Sequence, residues 1–382
     1  MRKHFFLALF VLFGVACITG LFFLAFYRPV RAANASFSNP ATIRAIRVDY
    51  LDEDANRGDV TGLETHMQQA GVTLVALGAG RADWTYFPWP GFPQRWSSEV
   101  SSTGQDYLLQ DSTRFAKWAH VSAVVDVLAP LYIQAHPQTA AISWTGTPSQ
   151  YLVGTMELVD GQFGQELLAM IDQIATYYPV NSITLTELVY YTDGFGASDK
   201  AAYLAYTHRS DWPRNPDGTI NINEPSIGSW RAFEIGRFLQ KAAALLHKHG
   251  KQLFLETPIR VTSSGQVLLE NGTDFTEFLK YADRLIVRGS NESDERSQAA
   301  MQAISQYLAR YPANRIITSL GLWSQDYDSD TPRDQMTALP LADFNSALQG
   351  IGNEDLWITP SFLMTSAHWQ ALEDFWSSQP KN

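Results

Sequence analysis

Glu187, Glu256 and Asp193 are the side chains of this 382-residue chain best placed by type and context to do chemistry. Glu187 closes an apolar run, between Ile183 and Leu185 on one side and Leu188 and Val189 on the other. A carboxyl in such surroundings is partly desolvated, which raises its pKa toward the range of a general acid. Two carboxyls of different basicity can break a glycosidic bond: one protonates the leaving oxygen while the other attacks or activates water. Glu187 is read as the acid, with Glu256 and Asp193 competing for the second role and Asp49 and Asp126 as further options. The bland readings are an ion-paired glutamate at position 187 and, for each aspartate taken singly, a sugar-hydroxyl ligand or a loop cap.

These residues work together only if the fold brings them to one place. Beyond Pro40 short β-branched runs alternate with helical stretches, the pattern of parallel βαβ units. Strands are predicted at 43–50, 72–77, 121–127, 182–188, 252–257, 284–288, 315–320 and 356–359. Helices are predicted at 62–69, 113–118, 164–177, 229–249, 274–281, 293–309, 341–348 and 366–376. In the helix at 229–249 an apolar stripe of Phe233, Ile235, Phe238, Leu239, Ala242, Leu245 and Leu246 ends at Gly250, a natural C-cap. Eight such units predict a (β/α)8 TIM barrel, whose chemistry sits at the C-terminal ends of its strands. Those ends carry Asp49, Arg81, Asp83, Asp126, Glu187, Glu256, Arg288, Glu292, Trp323 and Asp326. Long segments at 78–111, 128–161 and 190–225 would open on the same rim, and the second has an extra strand predicted at 140–144.

Aromatic residues crowd that rim. Trp84, Tyr86, Phe87, Trp89, Phe92 and Trp96 follow the second strand, Tyr190, Tyr191 and Trp212 the fourth, and Trp323 the seventh. Flat rings with polar edges suit the CH faces of pyranoses, although about half of them are expected to serve packing alone. Asp49, Asp126, Trp84, Tyr191, Arg288 and Trp323 are accordingly read as substrate-binding. No cofactor or metal is expected. Gly78-Ala79-Gly80 lacks the third glycine of a dinucleotide loop, and Asp326, Asp328 and Asp330 lack the glycine and terminal glutamate of a calcium loop. His247 and His249 fit a helix C-terminus better than a metal pair.

Residues 1–35 are set apart as a signal or anchor segment, and residues 40–378 as the barrel. Phe5 to Tyr27 form an apolar run long enough to cross a bilayer, between Arg2-Lys3 and Arg28. Ala33-Asn34-Ala35 resembles a signal-peptidase site, so an exported protein is expected, anchored in the envelope membrane or released after cleavage. The only cysteine, Cys17, lies in this leader, which leaves the remainder without a disulfide or a thiolate site. Four of the 28 Lys and Arg residues precede Ser36, leaving 24 against 39 acidic side chains and a net charge of -15. Such a surface repels nucleic acid and tolerates a neutral or cationic glycan.

The segment from Leu185-Thr186-Glu187-Leu188 to Asp193-Gly194-Phe195-Gly196-Ala197-Ser198 resembles the hydrolase domain of bacterial poly-N-acetylglucosamine biofilm proteins. In that family an acidic pair ends the fourth strand and a D-x-x-x-A-S loop follows. Met67 to Val75 and His136-Pro137 carry the similarity further along the chain. Glu187 matches the first acidic residue of the pair, and Leu188 replaces the second. The resemblance implies a glycoside hydrolase acting on a cell-envelope or biofilm polysaccharide, with a partly deacetylated glucosamine chain as preferred substrate and exopolysaccharide machinery as partner. Leu188 motivates the alternative, a non-catalytic glycan-binding barrel that assists export or assembly. A polymer deacetylase is disfavoured because its His and Asp metal set is not visible.

Overall fold

The structure, a computed structural model, describes residues 40, 42–49, 60–262, 264–289, 297–324, 335–351 and 355–378. The apolar run at 5–27, Cys17, the Ala33-Asn34-Ala35 site, Glu292 and the Asp326, Asp328 and Asp330 series lie outside these residues. Among the described residues no helix is long and apolar enough to cross a membrane.

Eight parallel strands close on themselves. They are β1 (Arg44–Val48), β2 (Leu74–Arg81), β3 (His120–Asp126), β4 (Ser182–Thr186), β5 (Gln252–Val261), β6 (Arg284–Gly289), β7 (Ile316–Gly321) and β8 (Leu356–Thr359). Each pairs with the next in sequence, and β8 returns to β1 with Ala45 beside Trp357. The helices after successive strands are α1 (Val60–Gln69), α2 (Tyr107–Phe115), α3 (Gln162–Tyr177), α4 (Pro225–Lys248), α5 (Phe275–Phe278), α6 (Gln298–Leu308), α7 (Leu341–Gly350) and α8 (Ser366–Ser378). The TIM barrel expected from the eight units is therefore present, with every predicted strand in place.

Three boundaries differ from expectation for identifiable reasons. α2 begins at Tyr107 rather than near Thr113, because the Asp106 side chain accepts from Leu109 N and caps the helix early. β4 stops at Thr186, since Glu187 leaves strand geometry with φ 61. β5 runs on to Val261 and folds back on Val267–Leu269 in a hairpin. On α4 the predicted stripe is buried at Ile235, Phe238, Leu239, Ala242 and Leu246, but Phe233 is exposed, and Trp230, Arg231 and Glu234 are buried as well. The extra strand after β3 is Ala140–Ile142, paired antiparallel with Pro148–Val153.

Strand periodicity divides the core into two layers, as alternation of side chains requires. Ile46, Val48, Val75, Leu77, Val121, Val125, Ile183, Leu185, Leu285 and Val287 face outward and pack with the helices in the large core cluster. Ile43, Ala45, Leu74, Ala76, Val124, Phe254, Ile286, Ile317 and Trp357 form a separate cluster inside the barrel. This plug sets a floor, and the next inward residue of each strand stands above it.

At the opposite end the barrel is closed by a buried ion pair. Asp355 accepts from Ile43 N at 2.6 Å and from the Arg284 Nη1 at 2.7 Å, joining the starts of β1, β6 and β8. Removing one member of such a pair leaves a buried charge alone. Asp355→Ala should lower stability by about 3–5 kcal/mol, read as a fall in the urea midpoint. Asp355→Asn, which keeps an acceptor for Ile43 N, should cost less. Equal midpoints for Asp355→Ala and the unaltered protein would show that this junction does not hold the barrel shut.

Candidate active site

Counting two residues up each strand from the interior plug gives the site. Ala45 leads to Arg47 on β1, Val124 to Asp126 on β3, Phe254 to Glu256 on β5, and Ile286 to Arg288 on β6. Arg81 reaches the same level by a different route. The register of β2 against β3 shifts between Gly78 and Gly80, so that Arg81 lies beside Asp126. Gly80 has φ 107, and a Cβ there would lie 2.4 Å from the Trp84 carbonyl oxygen, so this bulge requires glycine.

Glu187 enters the mouth against the strand rhythm. Ile183 and Leu185 face outward, and strict alternation would send residue 187 outward too. The left-handed backbone at Glu187 reverses this and brings its carboxylate to 3.5 Å from Arg288 Nη2. A non-glycine residue held at positive φ stores about 1–2 kcal/mol and persists only where its surroundings over-determine it.

The groups at the mouth form a charged lattice. Glu256, with a side chain only 3% exposed, has Arg288 Nε 3.0 Å from one oxygen and Arg47 Nη1 3.7 Å from the other. Arg47 in turn donates from Nε to Asp49 at 2.7 Å. Burial pushes the Glu256 pKa up, and the two guanidiniums oppose this without cancelling it. For Arg47 and Arg288 burial works against the charge, but the carboxylates around them prevail and the net shift is upward. Below the charges the Ser122 and Thr184 hydroxyls share a 2.8 Å hydrogen bond.

Asp126 differs from its neighbours. Burial, followed by the charge of Glu187, pushes its pKa up to about 7, against the pull of the Leu128 N–H, Arg81 and Arg47. One oxygen accepts from Leu128 N at 2.9 Å. A carboxyl that holds its proton near neutrality beside a second carboxyl is the arrangement in which the two divide the roles of acid and base.

The structure thus brings together Glu187, Asp126, Glu256, Asp49 and Arg288, with Tyr191 beside them. Tyr191 is exposed, and burial of its hydroxyl end raises its pKa against the nearby Arg288 charge, with Glu187, Glu270 and Glu256 also close. The two tryptophans stand at the rim. Trp84 is half-buried, stacked on Tyr86, with the Arg81 guanidinium 5.9 Å from its ring. The Trp323 ring covers Gly321, where a Cβ would meet it at 2.5 Å. Of the other rim aromatics, Tyr86, Phe87, Trp89, Tyr190 and Trp212 are buried and pack.

Asp193 belongs to a different group. Its main-chain carbonyl, with that of Tyr191, is held by the buried Arg231, and the charges acting on Arg231 are Asp199, Tyr190 and Asp193. Asp83 also has a structural job: it pairs with Arg81 at 3.0 Å and accepts from Leu131 N and Tyr132 N, capping the helix at Pro130–Ala135. Sequence reading missed Arg47, although its position two residues beyond Ala45 on an inward face was a usable signal. It also missed Arg231, a cation on a helix that carried no such signal. Among the described residues no group of three or more His, Cys, Asp or Glu side chains is arranged to hold a metal ion.

No family model matches the chain, and no curated protein does. Solved structures share its fold. It is similar to the PgaB (BpsB) glycoside hydrolase domain from Bordetella bronchiseptica, with TM-score 0.59 and 16% identity over 89% of this chain and 100% of that one. It is also similar to the catalytic domain of a β-amylase from Paenibacillus polymyxa, with TM-score 0.57 and 11% identity over 89% and 100% of the two chains. A β-galactosidase from the psychrophilic Marinomonas ef1 gives TM-score 0.59 and 10% identity over 87% of this chain and 58% of that one. At such identities the likeness establishes the barrel, and the chemistry must be argued from the site.

The raised Asp126 pKa makes a signed prediction about stability. In the unfolded chain this carboxyl titrates near 4, so between about 4 and 7 the folded protein holds a proton that the unfolded chain has released. Its contribution is therefore most favourable below about pH 4, is lost progressively as pH rises, and is fully lost above about 7. Asp126→Asn should stabilise the protein by about 2 kcal/mol at pH 8 and change little at pH 4, water at the mouth halving the value for a dry site. Urea titrations at the two pH values check this; a gain of equal size at both would mean that Asp126 titrates normally.

Proposed function

We propose that this chain is a glycoside hydrolase in which Asp126 and Glu187 share the acid and base work. The observation that carries the reading is the burial of Asp126 near a second carboxyl, Glu187, which pushes its pKa up to about 7 at the C-terminal mouth where barrel enzymes do their chemistry. In this reading Asp126 gives its proton to the leaving glycosidic oxygen. Glu187, whose side chain is 38% exposed, is the base: it takes a proton from the water whose oxygen bonds to the anomeric carbon as the bond to the leaving oxygen breaks. The acid role expected of Glu187 thus passes to Asp126, and Glu187 becomes the second carboxyl.

Glu256 and Asp193 take supporting parts. Glu256 has both oxygens facing guanidiniums and almost no exposed surface, so it braces Arg47 and Arg288. Arg288 in turn orients Glu187. Tyr191, Trp84 and Trp323 offer ring faces for pyranose units, and Asp49 a hydroxyl ligand.

The substrate proposed is a cell-envelope or biofilm polysaccharide, with a partly deacetylated glucosamine polymer preferred. Three features support this: the net charge of -15 beyond the leader, the likeness of the fourth-strand segment to biofilm hydrolases, and the fold shared with a glycoside hydrolase domain. The apolar run at 5–27 supports a location in the cell envelope, near exopolysaccharide machinery.

The test is incubation of the protein with partly deacetylated chitosan, chitin oligomers and neutral β-glucans, with new reducing ends measured. Turnover is expected on the glucosamine polymers, declining as pH rises through about 7, where Asp126 loses its proton. Glu187→Gln and Asp126→Asn should each lower kcat by about 10²–10⁴. Binding of the polymers without release of ends would instead identify a glycan-binding barrel, and unchanged turnover in either variant would remove that residue from the mechanism.

A further inference from the structure

Arg231 stands in the second turn of α4 with no exposed surface, one of the largest fully buried side chains of the described residues. Burying a guanidinium is costly unless its donors are used. No carboxylate oxygen lies within ion-pair distance of it among the described residues; both Nη groups are spent on main-chain carbonyls, while the buried Nε has no hydrogen-bond partner. Nη1 donates to Tyr191 O at 2.9 Å, Nη2 donates to Asp193 O, and the Phe195 ring lies 4.9 Å from the guanidinium carbon. Asp199, 1% exposed and fixed by Met156 N at 3.0 Å, supplies the largest balancing charge.

The segment held in this way is the strained one. Of the eight residues from Glu187 to Gly194, three have positive φ: Glu187 at 61, Tyr191 at 27 and Gly194 at 84. Two of these carry side chains and both face the mouth. The loop is also strapped from the side, where Trp144 N donates to Thr192 O at 3.0 Å and Phe195 N to Ile142 O at 2.8 Å. Those straps hold residues 192 and 195, whereas Arg231 holds the carbonyl of Tyr191 itself.

We infer that Arg231 is a positioning residue: by gripping the Tyr191 and Asp193 carbonyls it fixes the left-handed turn that sets the Tyr191 ring beside Glu187 and Arg288. The role rests on the proposed hydrolase reading for its functional consequence, though not for its structural one. Two diverging donors in one plane are needed, so lysine, a single point of charge, cannot replace it. A side chain that acts through Tyr191 affects substrate binding more than the chemical step.

The test compares the full chain with Arg231→Lys and Arg231→Met. In hydrogen exchange followed by mass spectrometry, peptides covering 187–195 should exchange about tenfold faster or more in both variants, with the strands of the barrel unchanged. On partly deacetylated glucosamine oligomers KM should rise about tenfold while kcat and the pH profile hold. In combination with Tyr191→Ala, Arg231→Lys should add little further to KM, because both act on one ring. Unchanged exchange at 187–195, or acceleration of every barrel peptide together, would overturn the inference, and so would additive effects on KM. If Arg231→Met fails to fold, Arg231→Lys decides alone. If the unaltered protein turns over none of these oligomers, the hydrolase reading fails while the exchange measurement still decides the role of Arg231.

Discussion

Everything at the mouth depends on Glu256 being held between Arg47 and Arg288. Three charges taken out of water would be unstable singly, and together they tie β1, β5 and β6 at one level above the apolar plug. Arg288, fixed in this way, meets Glu187. Glu187 raises the proton affinity of Asp126, which burial has already raised. The lattice therefore does more than join strands. It sets Glu187 facing a cation, while burial and the Glu187 charge leave Asp126 with a raised proton affinity.

Barrel architecture explains why so much charge can be buried there. The plug of Ala45, Val124, Phe254, Ile286 and Trp357 fills the interior below, so each further inward residue stands on a hydrophobic floor with solvent on one side only. Carboxylates and guanidiniums in that layer are desolvated from beneath and can still reach a ligand from above. The long segments after β2, β3 and β4 complete the walls. Asp83 pins the helix after β3 to the end of β2, and the Ala140–Ile142 hairpin is bonded to the loop after β4.

Two of the three described non-glycine residues with positive φ lie where the chemistry is proposed. Glu187 and Tyr191 have left-handed backbones, and His208, which closes the helix at Ala197–Thr207, is the other described non-glycine residue that shares this feature. A loop in this state needs rigid support from behind. It has that in α4, through Arg231, and in the hairpin bonds to Thr192 and Phe195.

The eight strands could be read from sequence because β-branched runs between helical stretches leave few other folds, and Asp126, Glu256 and Arg288 stood out as polar residues at the predicted strand ends. Arg47, two residues beyond the inward Ala45, could have been found by period-two alternation. What alternation could not supply was the turn of Glu187. A strand reading places that side chain outward, and only a left-handed backbone, held by contacts from distant segments, brings it inward. The nearness of Asp126 to Glu187, the Arg231 grip on the Asp193 carbonyl and the position of Glu256 between two guanidiniums likewise arise only in the tertiary structure. Each depends on which charges come within a few ångströms of one another and on how much water is left between them, and neither quantity is local in sequence.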